Sequence, residues 1–258
     1  MIMRHFRSTY SIFKFVILIL NTSLVGLNVC VAANYQASAY IGGTTTTFSR
    51  YGQLYFNGET DRLVLTNNHF SDITWGAAAA VRLNAPGKLQ TIIKELSIGP
   101  EFFYFSTTGV GDVWQYQLPE MNNLTYRIPV TSFRLLATNE VTFNSFIDNV
   151  YLFFVWGMGF AANESSFQEY PRPSYNWSGL LLDNSTQYNF AYTLGGGIKL
   201  DISDLAKLKN KRLQLSLRYL YANLGSADVT NIANTPFIKP ISVHLFTQSW
   251  VAGLTCLF

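Results

Sequence analysis

From Leu213 to Tyr221 every second residue is large and apolar (Leu213, Leu215, Leu217, Tyr219, Tyr221), and the residues between them include Gln214, Ser216 and Arg218. A β-strand sends successive side chains to opposite faces, so this spacing makes one greasy face and one polar face. Tyr188 to Leu200 repeats it, with Tyr188, Phe190, Tyr192, Leu194, Ile198 and Leu200 on one parity and Asn189, Ala191, Thr193, Gly195, Gly197 and Lys199 on the other. In a soluble sheet the polar parity carries many charges. Here only 13% of residues are charged, about half the usual share, and the second parity is mostly Gly, Ala, Ser, Thr and Asn with isolated ions.

That combination fits strands with lipid on their apolar side and a narrow lumen on the other. Val150 to Phe160 places Val150, Leu152, Phe154, Trp156, Met158 and Phe160 outward, and Leu96 to Tyr104 places Leu96, Ile98, Phe102 and Tyr104 outward with Glu101 inside. Trp75 to Leu83 sets Trp75, Val81 and Leu83 against Gly76 and Arg82, and Tyr35 to Thr46 supplies a first strand of undetermined phase. In Leu124 to Ala137 the apolar parity changes, from Leu124, Tyr126, Ile128 and Val130 to Phe133, Leu135 and Ala137. A β-bulge beside Pro129 is the expected cause, which turns both Arg127 and Arg134 inward. The end of the chain, Trp250, Ala252, Leu254, Cys256 and Phe258 against Val251, Gly253, Thr255 and Leu257, makes the eighth strand. The expected fold is all-β, an eight-stranded antiparallel up-and-down transmembrane β-barrel.

Joins of about ten residues, "APGKLQTIIK", "NEVTFNSFID" and "ISDLAKLKNK", alternate with longer stretches at about Phe48 to Phe70, Ser106 to Asn122, Asn163 to Gln187 and Gly225 to Ser242. Short periplasmic turns and long extracellular loops are therefore expected, with both termini periplasmic. Residues 1–33 read as a secretory signal peptide: Arg4, Arg7 and Lys14, an apolar stretch, then Val31 and Ala33 before a cut at Asn34, which leaves 34–258 as the barrel. Removing those three bases leaves 15 of the 18 Lys and Arg against 15 acids, so charge offers no case for nucleic acid. Cys256 is then the one remaining cysteine, which excludes an internal disulfide.

An eight-stranded barrel is just wide enough for side chains to fill. Arg82, Glu101, Arg127, Arg134, Lys199 and Arg218 are the expected lumen charges, pairing with one another as a stabilising network that plugs the interior. No cofactor or metal is expected, since His244 has no nearby Cys or His and "GVGD" and "GGG" lack what a phosphate loop needs.

The stretches "LSLRYLYANLG" (Leu215 to Gly225), "LGGGIKL" (Leu194 to Leu200) and "LSIGPEFFYF" (Leu96 to Phe105), with the terminal Phe258, resemble the opacity-protein and outer-membrane-protein-A-like family of eight-stranded barrels. The likeness runs in order along 34–258 but has no peptidoglycan-binding domain after the barrel. It implies a bacterial outer-membrane protein, a surface antigen, adhesin or structural component, that acts through its outer loops. Its partners would be outer-membrane lipids including lipopolysaccharide, the assembly machinery that reads Trp250 and Phe258, and host-cell surface ligands. Tyr170, Tyr175 and Trp177, beside prolines in the third long loop, are the expected aromatic contacts.

Two other activities have a sequence basis. A lipid A-modifying hydrolase would use a His and a Ser two apart on one strand, as His69 and Ser71 are in "NNHFSD", but adjacent Asp72 would point away from them. A small-solute channel would use the lumen charges as an ion path. The non-catalytic surface barrel is the favoured reading.

Overall fold

A computed structural model describes residues 34–49, 53–56, 59–66, 69–85, 87–145, 147–175, 179–203, 212–229 and 241–258. The expected signal peptide at 1–33 lies outside these, as do Trp177 and the joins at 204–211 and 230–240. Among the described residues there are ten strands: β1 (Asn34–Ser49), β2 (Gln53–Phe56), β3 (Glu59–Leu65), β4 (His69–Asn84), β5 (Ile93–Trp114), β6 (Leu124–Phe143), β7 (Val150–Pro171), β8 (Leu181–Asp201), β9 (Arg212–Val229) and β10 (Ile241–Leu257). Eight of them, β1, β4, β5, β6, β7, β8, β9 and β10, pair antiparallel in that order, and β10 pairs with β1 to close the ring. The closing seam carries inward hydroxyl pairs, Ser38 with Thr255 and Thr44 with Ser249, each at 2.8 Å. Closure pairs the edges that the first and last strands would otherwise expose, which a membrane demands because lipid cannot satisfy a free backbone N–H or C=O.

The remaining two strands are an unexpected hairpin. β3 pairs with β5 from Arg62↔Trp114 to Leu65↔Gly111, continuing the wall beyond the place where β4 pairs with β5, Thr74↔Phe105 to Asn84↔Glu95. The strands are also longer than expected. β5 and β7 have 22 residues each, whereas a tilted strand crosses a bilayer in about 9–11. Much of the sequence assigned to long loops is strand, because runs of Thr, Ser and Asn facing water look like loop in composition although β-branched Thr favours strands. The expected join at Asn139 to Asp148 is likewise shortened, since β6 runs on to Phe143.

The extra length explains the parity change in β6. Along all of that strand the even residues point in: Leu124, Tyr126, Ile128, Val130, Ser132, Arg134, Leu136, Thr138 and Glu140 are buried, and Arg127, Pro129, Phe133, Leu135 and Ala137 are exposed. The register with β5 is continuous from Thr107↔Val130 through Thr108↔Pro129, so there is no bulge at Pro129. The apolar parity changes because the surroundings do. From Val130 back to Leu124 the apolar side chains point inward and the polar ones outward, the arrangement that suits water outside the wall. Arg127, expected in the lumen, is therefore on the outer wall, over the Tyr170 ring at 5.2 Å.

The same inversion runs round the ring. In the terminal half of the barrel, the half that holds Asn34 and Phe258, the outer wall presents Ile41, Trp75, Leu135, Leu152, Phe190, Leu217, Trp250 and Leu254, an apolar belt of the kind lipid favours. In the far half the inner face is apolar, with Phe48, Val113, Tyr126, Phe167, Leu224 and Leu245 in one buried cluster. The outer face there includes Thr45, Thr47, Ser106, Thr131, Glu164, Thr186 and Gln248. True bulges occur near the boundary on other strands, on β8 opposite the Ser165 to Phe167 step of β7 and on β9 opposite Leu245 and Phe246. At the latter, Gly225 has φ +77 and an added Cβ would stand 2.4 Å from Cβ of Asn189, so both conformation and space call for glycine.

Candidate functional site

The terminal half of the lumen holds an ion cluster built on five strands. Arg218 on β9 donates to Glu101 on β5 at 2.8 Å, and its second nitrogen lies 3.9 Å from Glu140 on β6. Lys199 on β8 donates to Glu140 and, at 3.4 Å, to Thr142. Nearer the terminal mouth Arg82 on β4 pairs with Glu95 on β5. Arg218 and Glu101 have side chains only 2% exposed. At such burial each charge depends on its partner, since removing one leaves the other desolvated and unpaired.

Aromatic rings complete the plug. Tyr40 on β1 and Phe103 on β5 stack with centroids 5.5 Å apart and planes within 14°. The Arg218 guanidinium lies 3.9 Å from the Tyr40 ring and that of Arg134 4.4 Å from Phe103, so two cations cap a two-ring stack. Glycines make this arrangement possible. A Cβ on Gly253 would fall 2.6 Å from the Tyr40 ring and one on Gly76 2.6 Å from the Phe103 ring. Arg134 is buried and, among the described residues, forms no ion pair; its Nε has no hydrogen bond.

Arg82, Glu101, Arg134, Lys199 and Arg218 thus all lie inside, and Arg127 does not. Two acids of the cluster, Glu95 and Glu140, are missing from the sequence reading because both sit just past the strand ends assigned there. Continuing the inward parity from Arg134 through Leu136 and Thr138 reaches Glu140, and stepping back from Glu101 through Gly99 and Ser97 reaches Glu95. Tyr40 lies on β1, whose phase the pattern of Tyr35 to Thr46 leaves open.

Beyond the cluster the interior becomes less charged and then mainly apolar. Ser132 donates to Asn163 Oδ1 at 2.7 Å, and Asn163 Nδ2 donates to the Leu224 carbonyl at 2.8 Å. Above this layer stand Tyr126 and Phe167, stacked at 5.7 Å, within the apolar far core. Buried side chains therefore line both halves of the lumen, ions and hydroxyls in one and mainly apolar groups in the other.

His69 and Ser71 are on the outer wall, each hydrogen-bonded to β1: His69 Nδ1 with Thr47 Oγ1 at 3.0 Å, Ser71 with Thr45 at 3.3 Å. Asp72 has the inward parity. Among the described residues no group of three or more His, Cys, Asp or Glu is placed to hold a metal. Of the expected loop contacts, Tyr170 is on the outer wall of β7, where its hydroxyl donates to Gln168 at 2.6 Å. Tyr175 is exposed in the β7–β8 connection, with its N–H bonded to the Arg172 carbonyl at 2.8 Å. At the other end, Phe258 N–H donates to the Tyr35 carbonyl at 2.9 Å, carrying the ladder to the last residue, and the Trp250 side chain is exposed on the belt.

No family model matches the chain, and no curated protein matches it in sequence. Solved structures to which it is similar include Neisserial surface protein A, at 11% identity over 87% of this chain and 98% of that one, TM-score 0.36. Ail, the attachment invasion locus protein of Yersinia pestis, solved with the heparin analogue sucrose octasulfate, has 10% identity over 87% of this chain and 99% of its own, TM-score 0.35. The outer membrane protease OmpT from Escherichia coli has 10% identity over 88% and 96%, TM-score 0.42. At such identities and scores no ligand or chemistry passes from these proteins to this chain.

Proposed function

We propose that this chain is a non-catalytic barrel of the bacterial outer membrane, of the opacity-protein and outer-membrane-protein-A-like kind, which acts at its far end as an adhesin, surface antigen or structural component. The observation that carries the reading is the halfway inversion of the barrel. An apolar belt suits lipid, lipopolysaccharide included, and a far half with polar walls and an apolar core suits water. In this reading side chains fill both halves of the lumen, and the outer wall and rim of the far half are the surfaces that meet a host-cell ligand. In this reading residues 1–33 are removed on export, the termini are periplasmic, and Tyr170, Tyr175 and Trp177 belong to the contact surface. The assembly machinery reads Trp250 and Phe258, the end of the strand that closes the ring.

Heat-modifiable gel migration combined with proteolysis of intact cells tests the fold in its membrane and its direction together. A compact unheated band and cleavage in the 172–180 connection but not at 202–211 are expected; the reverse cleavage pattern would overturn the orientation. Deleting Phe258 should lower the yield of folded barrel severalfold while the exported chain persists, and normal insertion of that variant would remove the assembly signal from the proposal.

A further inference from the structure

The last rung between β7 and β8 at the far end is built around an acid. Glu169 points inward, 7% exposed, next to its register partner Tyr126 on β6. Its N–H donates to the Leu180 carbonyl at 2.8 Å, and its Oε2 accepts the Leu180 N–H at 3.0 Å, so one residue completes both bonds of the rung. Gly179 lies so close that a Cβ there would stand 2.2 Å from the Glu169 carbonyl oxygen. Leu180 packs against the apolar far core, and Leu182 is part of it. The other carboxyl oxygen, Oε1, is buried without a hydrogen bond among the described residues.

The charges around this acid favour a held proton. Asp61 of β3 acts on Glu169 as a second negative group. Tyr126 faces it from β6. Asp112 of β5 and Arg172 are engaged with each other at 2.9 Å, Arg62 of β3 lies over the Trp114 ring, and Asp183 of β8 is exposed on the outer side. No cation among the described residues is ion-paired with Glu169. Burial pushes its carboxyl up to about 7, with Asp61 adding to the rise and the Leu180 N–H opposing it.

We propose that Glu169 is a proton-dependent clasp: with its proton on, it holds the end of the β7–β8 ladder against the far core, and losing the proton opens that rung. The closed rung binds more protons than the open one between the ordinary carboxyl value of 4.5 and about 7. Its stability is therefore full below the lower value and lost as pH rises through the upper one. The clasp depends only on the barrel and not on which way it faces.

Hydrogen exchange at the Leu180 amide tests this in the full chain refolded in detergent micelles, between about pH 5 and pH 9 and corrected for intrinsic exchange. Protection should fall roughly a hundredfold as pH rises, because each unit of displaced proton affinity is a factor of about ten. Glu169→Gln, neutral at every pH, should keep high protection throughout. Asp61→Asn should move the wild-type midpoint to lower pH, a readout that survives if Glu169→Gln does not fold. Flat wild-type protection, an equal fall in Glu169→Gln, or an unmoved midpoint in Asp61→Asn would each overturn the clasp.

Discussion

The two halves of this barrel share strands and ladders but solve opposite problems. Around Arg218, Glu101, Glu140 and Lys199 the ions are inside and the apolar side chains outside; around Tyr126, Phe167 and Leu245 the arrangement is reversed. The lesson is that hydrophobic parity reports what lies outside a strand, not how its backbone runs. In water the apolar residues gain by leaving the solvent, whereas in lipid there is no such gain and the interior is free to hold polar groups. β6 shows both regimes on one uninterrupted strand.

The comparison breaks most severely at the buried ions. Arg218→Met should destabilise the folded barrel by about 3–5 kcal/mol, because Glu101 loses its partner and Glu140 one of two. The double variant Arg218→Met, Glu101→Leu should recover a large part of that loss. Urea titrations of refolded barrels measure both, and a single variant as stable as the wild type would mean that the cluster does not support the terminal half.

A smaller effect sharpens the boundary. Ala137 and Thr131 share the outer face of β6, one in the belt and one beyond it. Ala137→Arg should cost about 2–4 kcal/mol if it enters the hydrocarbon, and Thr131→Arg should stay within about 0.5 kcal/mol as a change on a water-facing wall. Similar costs at the two positions would erase the proposed boundary. Smallest of all, Arg127→Gln should lose only about 0.5–1 kcal/mol, the value of an exposed cation over an aromatic ring. A loss several times larger would return Arg127 to the lumen.

How much was legible from the residues depended on where they stood relative to that boundary. In the belt, alternation gave the correct facing for Leu213 to Tyr221, Tyr188 to Leu200, Val150 to Phe160 and Trp250 to Phe258, because one parity had to be large and apolar for lipid. At the boundary the same alternation points the wrong way. A parity change beside a proline has two causes, an inserted residue or a change of surroundings, and periodicity cannot separate them. The error placed Arg127 inside and Leu124, Tyr126, Ile128 and Val130 outside. Short strand ends concealed Glu95 and Glu140, and with them half of the ion pairing that holds Arg82 and Lys199.

The sequence by itself determined an all-β chain with alternating faces and most of the ions that fill its lumen, since each of those follows from side chains two residues apart on one strand. Only the tertiary structure decided that the strands run beyond the belt, that β2 and β3 extend the wall, and that Tyr40, Phe103, Arg134 and Arg218 meet in one stack. These depend on the register between strands far apart in sequence, which the ring has to satisfy all at once in order to close.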